Sequence, residues 1–218
     1  MVDRGARGVA VLLGALAACA SAPAPQKVVE RSSRDYAPLT IGARWTYDMS
    51  YPGQTGEMSV TLTGVRDGYV VDDKNGAFRH TDEGLRDRDR YLIKHPLIAG
   101  TAWKSVVSAS AVERSEILSV GEPCASVAGS FSDCVVVQGS LKRDEKLTLH
   151  IRWTWARDIG LVKVETEVDV SGKGRIPQTK QSLKHYALHP SAPPEPGKAP
   201  KELAKPAPDE APPAWGKE

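Results

Sequence analysis

Histidine is the residue type in this chain best suited to hold a metal ion, and five histidines occur. Only His185 and His189 have a suggestive spacing, four residues apart. In an extended strand that spacing separates the two side chains by about 13 Å, which is too far for one metal ion. His80, His95 and His150 have no such neighbour. The sequence therefore predicts no metal site and no cofactor.

A segment of alternating charge lies between residues 79 and 90. Its acidic members are Asp82, Glu83, Asp87 and Asp89, interleaved with Arg79, Arg86, Arg88 and Arg90. Calcium needs a cage of oxygen ligands, and the interleaved guanidinium groups would neutralise it. We expect a solvated charged loop here.

No catalytic motif is recognisable in the chain. The Gly129-Ser130-Phe131 stretch lacks the second glycine of a G-x-S-x-G nucleophile elbow. Neither a G-x-x-x-x-G-K-[ST] phosphate loop nor a G-x-G-x-x-G dinucleotide motif occurs. We therefore expect a non-enzymatic binding or structural module. A hydrolase with dispersed catalytic residues stays open as an alternative, because paired carboxylates have a three-dimensional spacing that sequence does not reveal.

Aromatic residues are the remaining candidates for a binding site. Trp45, Trp103, Trp153 and Trp155, with Tyr47, recur on strand-like stretches. The inward face of a strongly curved sheet is either filled by side chains or encloses a ligand. The tryptophans therefore either pack a core or line a pocket for a lipid-like, hydrophobic ligand, which would make the protein a carrier or sensor.

The elements that would position these residues are strands. Apolar and polar residues alternate with a period of two through 44–51, 57–63, 146–155 and 162–170, which is typical of half-buried antiparallel strands. Pairs such as Asp67-Gly68 accept the positive φ of tight hairpin turns. We predict a mainly β domain over residues 36–188: a single antiparallel curved sheet, barrel or sandwich of about eight to eleven strands.

The N-terminus has the features of an export signal. An uncharged run of 11 residues, 8–18, is too short to span a bilayer. It ends in Leu16-Ala17-Ala18-Cys19, which resembles the lipobox of bacterial lipoproteins. The resemblance implies a signal peptide over 1–18, acylation of Cys19 by fatty acids such as palmitate, and a disordered lipidated tether over 19–35. A conventional signal peptide cleaved after an Ala-x-Ala pattern is the alternative.

The resemblance also implies a location. Ala20 follows the cysteine where an Asp would retain an enterobacterial lipoprotein in the inner membrane. In a Gram-negative host we therefore expect the lipid anchor on the periplasmic face of the outer membrane. Disulfides persist in that compartment, so Cys124 and Cys134 are predicted to pair, with two free buried thiols as the alternative.

Composition separates the ends of the chain from its middle and limits the partners. Nine of the 16 prolines lie in the last 30 residues, so 189–218 is predicted to be a disordered Pro-rich tail, either solvated or in contact with the cell wall or an envelope protein. The formal net charge of +2 gives no basic field for nucleic acid.

Three motifs carry a family resemblance over residues 36–188. They are the Trp45-Thr-Tyr47 strand, an A-G-x-F-x-D-C turn ending at Cys134, and Gly160-Leu-Val-Lys163. Together they look like a group of uncharacterised bacterial lipoproteins and secreted β proteins. That resemblance implies a β-rich extracytoplasmic domain and assigns no catalytic residues.

Overall fold

The structure is a computed structural model that describes residues 30–109 and 111–189. The predicted signal peptide, Cys19, the tether up to residue 29 and the tail from residue 190 lie outside the described residues. Within the described ranges, no helix has the length and apolar character needed to cross a membrane.

The described chain forms one short helix and twelve strands. In chain order they are α1 (Ser33–Tyr36), β1 (Arg44–Tyr51), β2 (Gln54–Arg66), β3 (Tyr69–Asp72), β4 (Ala77–Thr81), β5 (Gly84–Arg86), β6 (Tyr91–Lys94), β7 (Ala102–Ser108), β8 (Ala111–Ser126), β9 (Gly129–Lys142), β10 (Leu147–Ala156), β11 (Gly160–Val170) and β12 (Gly174–Ala187).

All twelve strands belong to a single antiparallel sheet. Its order is β6-β5-β4-β3-β2-β1-β12-β11-β10-β9-β8-β7, so strands that follow one another in sequence are paired except β6 and β7, and β1 pairs with β12. The mainly β, antiparallel fold is confirmed. The sheet has twelve strands, slightly more than the eight to eleven expected. The strands β3 to β6 have three to five residues each and are too short to show a clear alternation in sequence.

The long strands form where the sequence alternates. On β1, Trp45 and Tyr47 are buried while Arg44 is exposed. Asp67 and Asp158 have φ values of 53° and 61° at the turns after β2 and β10, which fits the tolerance of Asp for left-handed backbone in tight turns.

The two edge strands, β6 and β7, follow one another in sequence and come together without a ladder between them among the described residues. We call this junction the seam. The indole nitrogen Nε1 of Trp103 on β7 donates to the carbonyl oxygen of Tyr91 on β6 at 3.1 Å. Side chains therefore join the two edges, and the sheet wraps around an interior.

The interior holds two groups of buried apolar side chains. One group includes Leu85, Trp153 and Trp155. The other includes Trp45 and Tyr47, beside Leu62, Val162 and Leu183. The first group lies on the seam side of the sheet and the second around β1 and β12.

The β domain begins earlier than the sequence indicated. Residues 31–35 were assigned to the disordered tether, yet Ser33 and Tyr36 on α1 are fully buried. Ser32 caps the helix, since its side chain accepts from the backbone N3 position while the Asp35 carboxylate accepts from the Ser32 N–H. A helical turn this short shows no apolar periodicity, so the composition of this segment is the same as that of a linker.

Candidate ligand-binding cavity

A cavity of about 250 Å³ lies between the two apolar groups. Three of the four tryptophans proposed from sequence line it: Trp45, Trp153 and Trp155. Tyr47 and Phe78 add two more aromatic side chains to its wall. Its aliphatic lining comes from Leu39, Val60, Leu62, Leu85, Leu92 and Leu161. The wall is therefore mainly apolar and rich in aromatic rings.

Hydrogen bonds fix the aromatic side chains on the β1 side of the cavity. Trp45 Nε1 donates to the carbonyl oxygen of Ile159 at 2.7 Å. The Tyr47 hydroxyl donates to the carbonyl oxygen of Leu161 at 3.0 Å. Burial, and next the Asp72 carboxylate, raise the pKa of Tyr47, so this phenol stays protonated. Both rings are thus held by polar groups at their tips while their faces remain apolar.

A glycine makes room for Trp153 on the β10 side. A Cβ at Gly139 on β9 would lie 2.9 Å from the Trp153 ring and 3.1 Å from the carboxyl carbon of Glu113. That spacing is shorter than van der Waals contact, so any larger residue would push the ring or the carboxylate away. Gly139 therefore lets Trp153 lie across β9 beside Glu113.

Trp155 differs from Trp45 in that its indole nitrogen has no hydrogen-bond partner among the described residues. It is 6% exposed, and its Nε1 is buried without a hydrogen-bond acceptor among the described residues. A buried unpaired N–H costs free energy. An oxygen-bearing ligand would be one way to satisfy it.

Trp103, the fourth tryptophan in the predicted set, belongs to the same apolar group as Trp153 but does not line the cavity. Its hydrogen bond to Tyr91 places it at the seam. The aromatic residue type of Trp103 suggested an inward position but did not show whether that position borders the cavity.

One polar part of the wall is made by residues near the seam. Arg90 and Asp87 line the cavity. Arg90 pairs through Nη1 with Glu113 Oε2 and through Nε with Asp87 Oδ2 at 3.4 Å. The Arg90 guanidinium also lies 5.2 Å from the centre of the Trp153 ring. Ser115 Oγ donates to the other Glu113 oxygen at 3.1 Å.

The sequence missed this ion-pair cluster. Asp87 and Arg90 were interpreted as part of a solvated charged loop, and the structure corrects that for these two residues. Arg90 is 25% exposed and its partner Glu113 only 1% exposed. Glu113 lies 23 residues away in sequence, so no local pattern could reveal the pair. The sequence offered one signal for it: Glu113 occupies a position of β8 at which the alternation places buried side chains.

The chain between α1 and β1 forms another part of the wall. Ala37, Pro38 and Leu39 line the cavity directly after the helix. His80 Nε2 lies 2.9 Å from the Ala37 carbonyl oxygen, so this nitrogen carries a proton. The Ser33 backbone N–H donates to His95 Nε2 at 3.0 Å. Two histidines from the β4 to β6 region therefore hold the helix beside the cavity.

A second set of contacts holds α1 from the opposite side. We call Arg31, Asp35, Tyr36, Asp133 and Arg157 the α1 clamp. Asp133 accepts from the Tyr36 hydroxyl at 2.6 Å and lies 3.4 Å from each of the two guanidiniums. Burial alone would raise the pKa of Asp133, but the donated hydrogen bond and the guanidiniums outweigh it and lower that pKa. The Asp133 carboxylate at the centre of the clamp therefore stays ionised at neutral pH.

The predicted disulfide is confirmed. Cys124 on β8 and Cys134 on β9 are bonded, with their Cα atoms 6.0 Å apart. The end of this hairpin folds onto β12, where Ala128 N–H donates to the Leu183 carbonyl oxygen at 2.7 Å. The bridge therefore ties together the two strands that carry this contact.

Three of the five histidines contact separate parts of the described chain. His80 and His95 contact α1, whereas His150 lies 2.9 Å from Ser140 Oγ. Within the described ranges, no three His, Cys, Asp or Glu side chains are grouped as metal ligands.

Comparisons with known proteins give one structural likeness. No protein-family model matches the chain, and no curated protein matches it. The fold is weakly similar to a crystal structure of a candidate lipoprotein from Parabacteroides distasonis, with 12% sequence identity and a TM-score of 0.39. The alignment covers 70% of this chain and 98% of that one.

Proposed function

We propose that this protein is a lipid-anchored module of the bacterial cell envelope that binds a small hydrophobic ligand without chemical conversion. The cavity lined by Trp45, Trp153 and Trp155 carries the ligand part of the proposal. Of the functions considered in the sequence analysis, this cavity favours a carrier or sensor of a hydrophobic ligand.

The size and lining of the cavity support binding. An apolar cavity of about 150 Å³ stays dry and takes up benzene, and ordinary ligand sites occupy about 300 to 1,000 Å³. The volume here, about 250 Å³, lies between these values. It suits a single ring or a short alkyl chain.

The role of the ionisable groups supports binding over catalysis. Arg90 is committed to Glu113 and Asp87, and the Asp72 Oδ1 atom accepts from the backbone N–H groups of Lys74 and Gly76 at 2.8 and 2.6 Å. The contacts of these side chains therefore stabilise the wall of the cavity.

The lipid anchor is the part of the proposal that comes from sequence. Acylation of Cys19 would hold the domain at the membrane, and the absence of Asp at position 20 favours the periplasmic face of the outer membrane. Two or more acyl chains hold a protein firmly, whereas one holds it marginally. The Pro-rich tail would contact the cell wall or an envelope protein.

A matched pair of variants on β2 tests the cavity. Val60 lines the cavity and pairs with Trp45, whereas Val65 is 64% exposed on the same strand. We expect octanol to bind the wild type and Val65→Phe equally in isothermal calorimetry, and Val60→Phe at least about tenfold more weakly. Failure of octanol to bind the wild type, or equal binding to Val60→Phe, would overturn the proposal.

Metabolic labelling tests the anchor. Cells given labelled palmitate should incorporate it into the wild type and into Ala20→Ser, but not into Cys19→Ser. Incorporation into Cys19→Ser would show that the proposed acylation site is wrong.

A further inference from the structure

We infer that the natural ligand of this cavity is an amphiphile with a positively charged head group. This inference rests on the proposed function and narrows its ligand class.

The charges at the cavity are mainly negative. Among the lining residues, Asp72 and Asp87 are acidic and Arg90 is basic. Glu113 adds a third carboxylate directly behind Arg90. Three carboxylates against one guanidinium leave two negative charges at this wall. The Trp155 N–H is a single uncharged donor and does not offset them.

Arg90 is the one basic residue lining the cavity in the described part of the chain, and an anionic ligand would have to recruit it. Its guanidinium already faces two carboxylates, Glu113 and Asp87. Glu113 is 1% exposed, so moving Arg90 away would leave a buried charge without a partner. Breaking a buried ion pair by removing one partner is strongly unfavourable. A carboxylate or phosphate head group therefore has no free cation to bind.

The aromatic wall favours a cation for a separate reason. The face of an indole or phenol ring carries negative electrostatic potential and attracts ammonium and guanidinium groups. The wall already holds one such contact, since the Arg90 guanidinium lies 5.2 Å from the centre of the Trp153 ring. Trp45 and Trp155 add two further indole rings. An alkylammonium ligand would place its chain among the leucines and its head near these rings and the carboxylates.

Three probes with the same alkyl chain test the inference on the intact β domain. Octylammonium, octanol and octanoate differ only in the head group, and at about pH 7 the first is a cation and the last an anion. We expect octylammonium to bind at least about tenfold more tightly than octanoate in isothermal calorimetry, with octanol between them. Octanoate binding as tightly as octylammonium, or more tightly, would overturn this inference.

A carboxylate-to-amide variant tests whether the wall charges set the preference. Asp87→Asn keeps the Oδ1 acceptor used by the backbone N–H groups of Asp89 and Arg90 but removes one negative charge. We expect it to reduce the ratio of octylammonium to octanoate affinity at least about threefold, whereas the matched control Asp89→Asn in the same loop leaves the ratio unchanged. An unchanged ratio in Asp87→Asn would overturn the assignment.

The probes separate the two proposals. If octanol fails to bind the wild type, the hydrophobic-ligand function itself is wrong. If octanol binds and octanoate is preferred over octylammonium, the function stands and the cationic head group is wrong.

Discussion

Among the single residues, Glu113 is a carboxylate that is almost wholly buried. It lies on β8 with 1% of its side chain exposed, and its two carboxylate oxygens are matched by Arg90 and Ser115. A buried ion pair adds little to stability compared with apolar residues of the same shape, but the loss of one partner leaves an uncompensated charge. Glu113 therefore depends on Arg90.

Replacing Arg90 alone should strongly destabilise the fold. We expect Arg90→Met to lower the free energy of unfolding by about 3–5 kcal/mol, because the Glu113 carboxylate remains buried without its partner. Urea unfolding followed by tryptophan fluorescence measures the loss.

The double variant provides the control. In Arg90→Met/Glu113→Met no charge is left unpaired, so its stability should lie well above that of Arg90→Met. A double variant less stable than the single one would contradict the dependence of Glu113 on Arg90.

Among the secondary-structure elements, the helix α1 is too short to be stable alone, and side-chain contacts keep it in place. Four residues cannot form a stable helix alone. The α1 clamp holds it from the β9 and β10 side, and His80 and His95 hold it from the other side. The position of α1 therefore depends on the protonation of its partners.

Acid should weaken this docking. Burial lowers the pKa of His80, opposed by its hydrogen bond to Ala37, so the folded pKa lies below the unfolded value of about 6.5. The unfolded chain then binds more protons, and the stability contributed above about pH 6.5 is lost as the pH falls through the folded pKa. The hydrogen-exchange protection factors of residues 33–37, which are corrected for the intrinsic pH dependence of exchange, should fall on acidification.

A histidine variant isolates this effect. We expect the pH dependence of the urea midpoint to be smaller in His80→Gln than in the wild type, whereas His185→Gln, at an exposed position of β12, should match the wild type. Burial also lowers the pKa of His150, so the comparison is between each variant and the wild type. An identical pH dependence in His80→Gln would contradict the role of His80.

The β8–β9 hairpin offers a second test at this scale. The disulfide closes a sequence separation of 10 residues, and a loop of that size contributes about 2–3 kcal/mol by restricting the unfolded chain. We expect Cys124→Ala/Cys134→Ala to lose about that free energy of unfolding. Reduction of the wild type should give a similar loss, and the same reductant should leave the double variant unchanged.

The elements also show which kinds of structure this sequence predicts. The sequence predicts the long strands β1, β10 and β11, because the alternation of apolar and polar residues is visible within a short stretch of sequence. It also predicts the bridge between Cys124 and Cys134, because these two cysteines remain when Cys19 is assigned to the lipid anchor. The helix α1 was missed because its burial comes from residues distant in sequence, such as Asp133. The cavity position of Trp45, Trp153 and Trp155 was offered only as one alternative to packing, since sequence does not reveal whether an interior is filled.

In the molecule as a whole, the sheet surrounds the cavity with strands from both halves of the chain. Val60 on β2 and Trp153 on β10 line the same cavity. A ligand that contacts both halves binds the folded state and has no site in the unfolded chain. Binding is therefore coupled to global stability.

Octanol should raise the stability of the fold by an amount that grows with the logarithm of its free concentration once that concentration exceeds the dissociation constant. At a free concentration of about 100 times its dissociation constant, we expect the free energy of unfolding to rise by about 2.7 kcal/mol. Thermal unfolding across a range of octanol concentrations measures the effect. Val60→Phe should show a much smaller rise, and an equal rise in that variant would mean that octanol acts elsewhere.

The seam has a consequence for how such a ligand exchanges. Between the described parts of β6 and β7 no backbone ladder has to break, since the edges meet through the side chain of Trp103. A ligand that passed between these two edges would displace side chains but would break no backbone ladder of the sheet. Uptake and release by this route would leave the shell of strands intact.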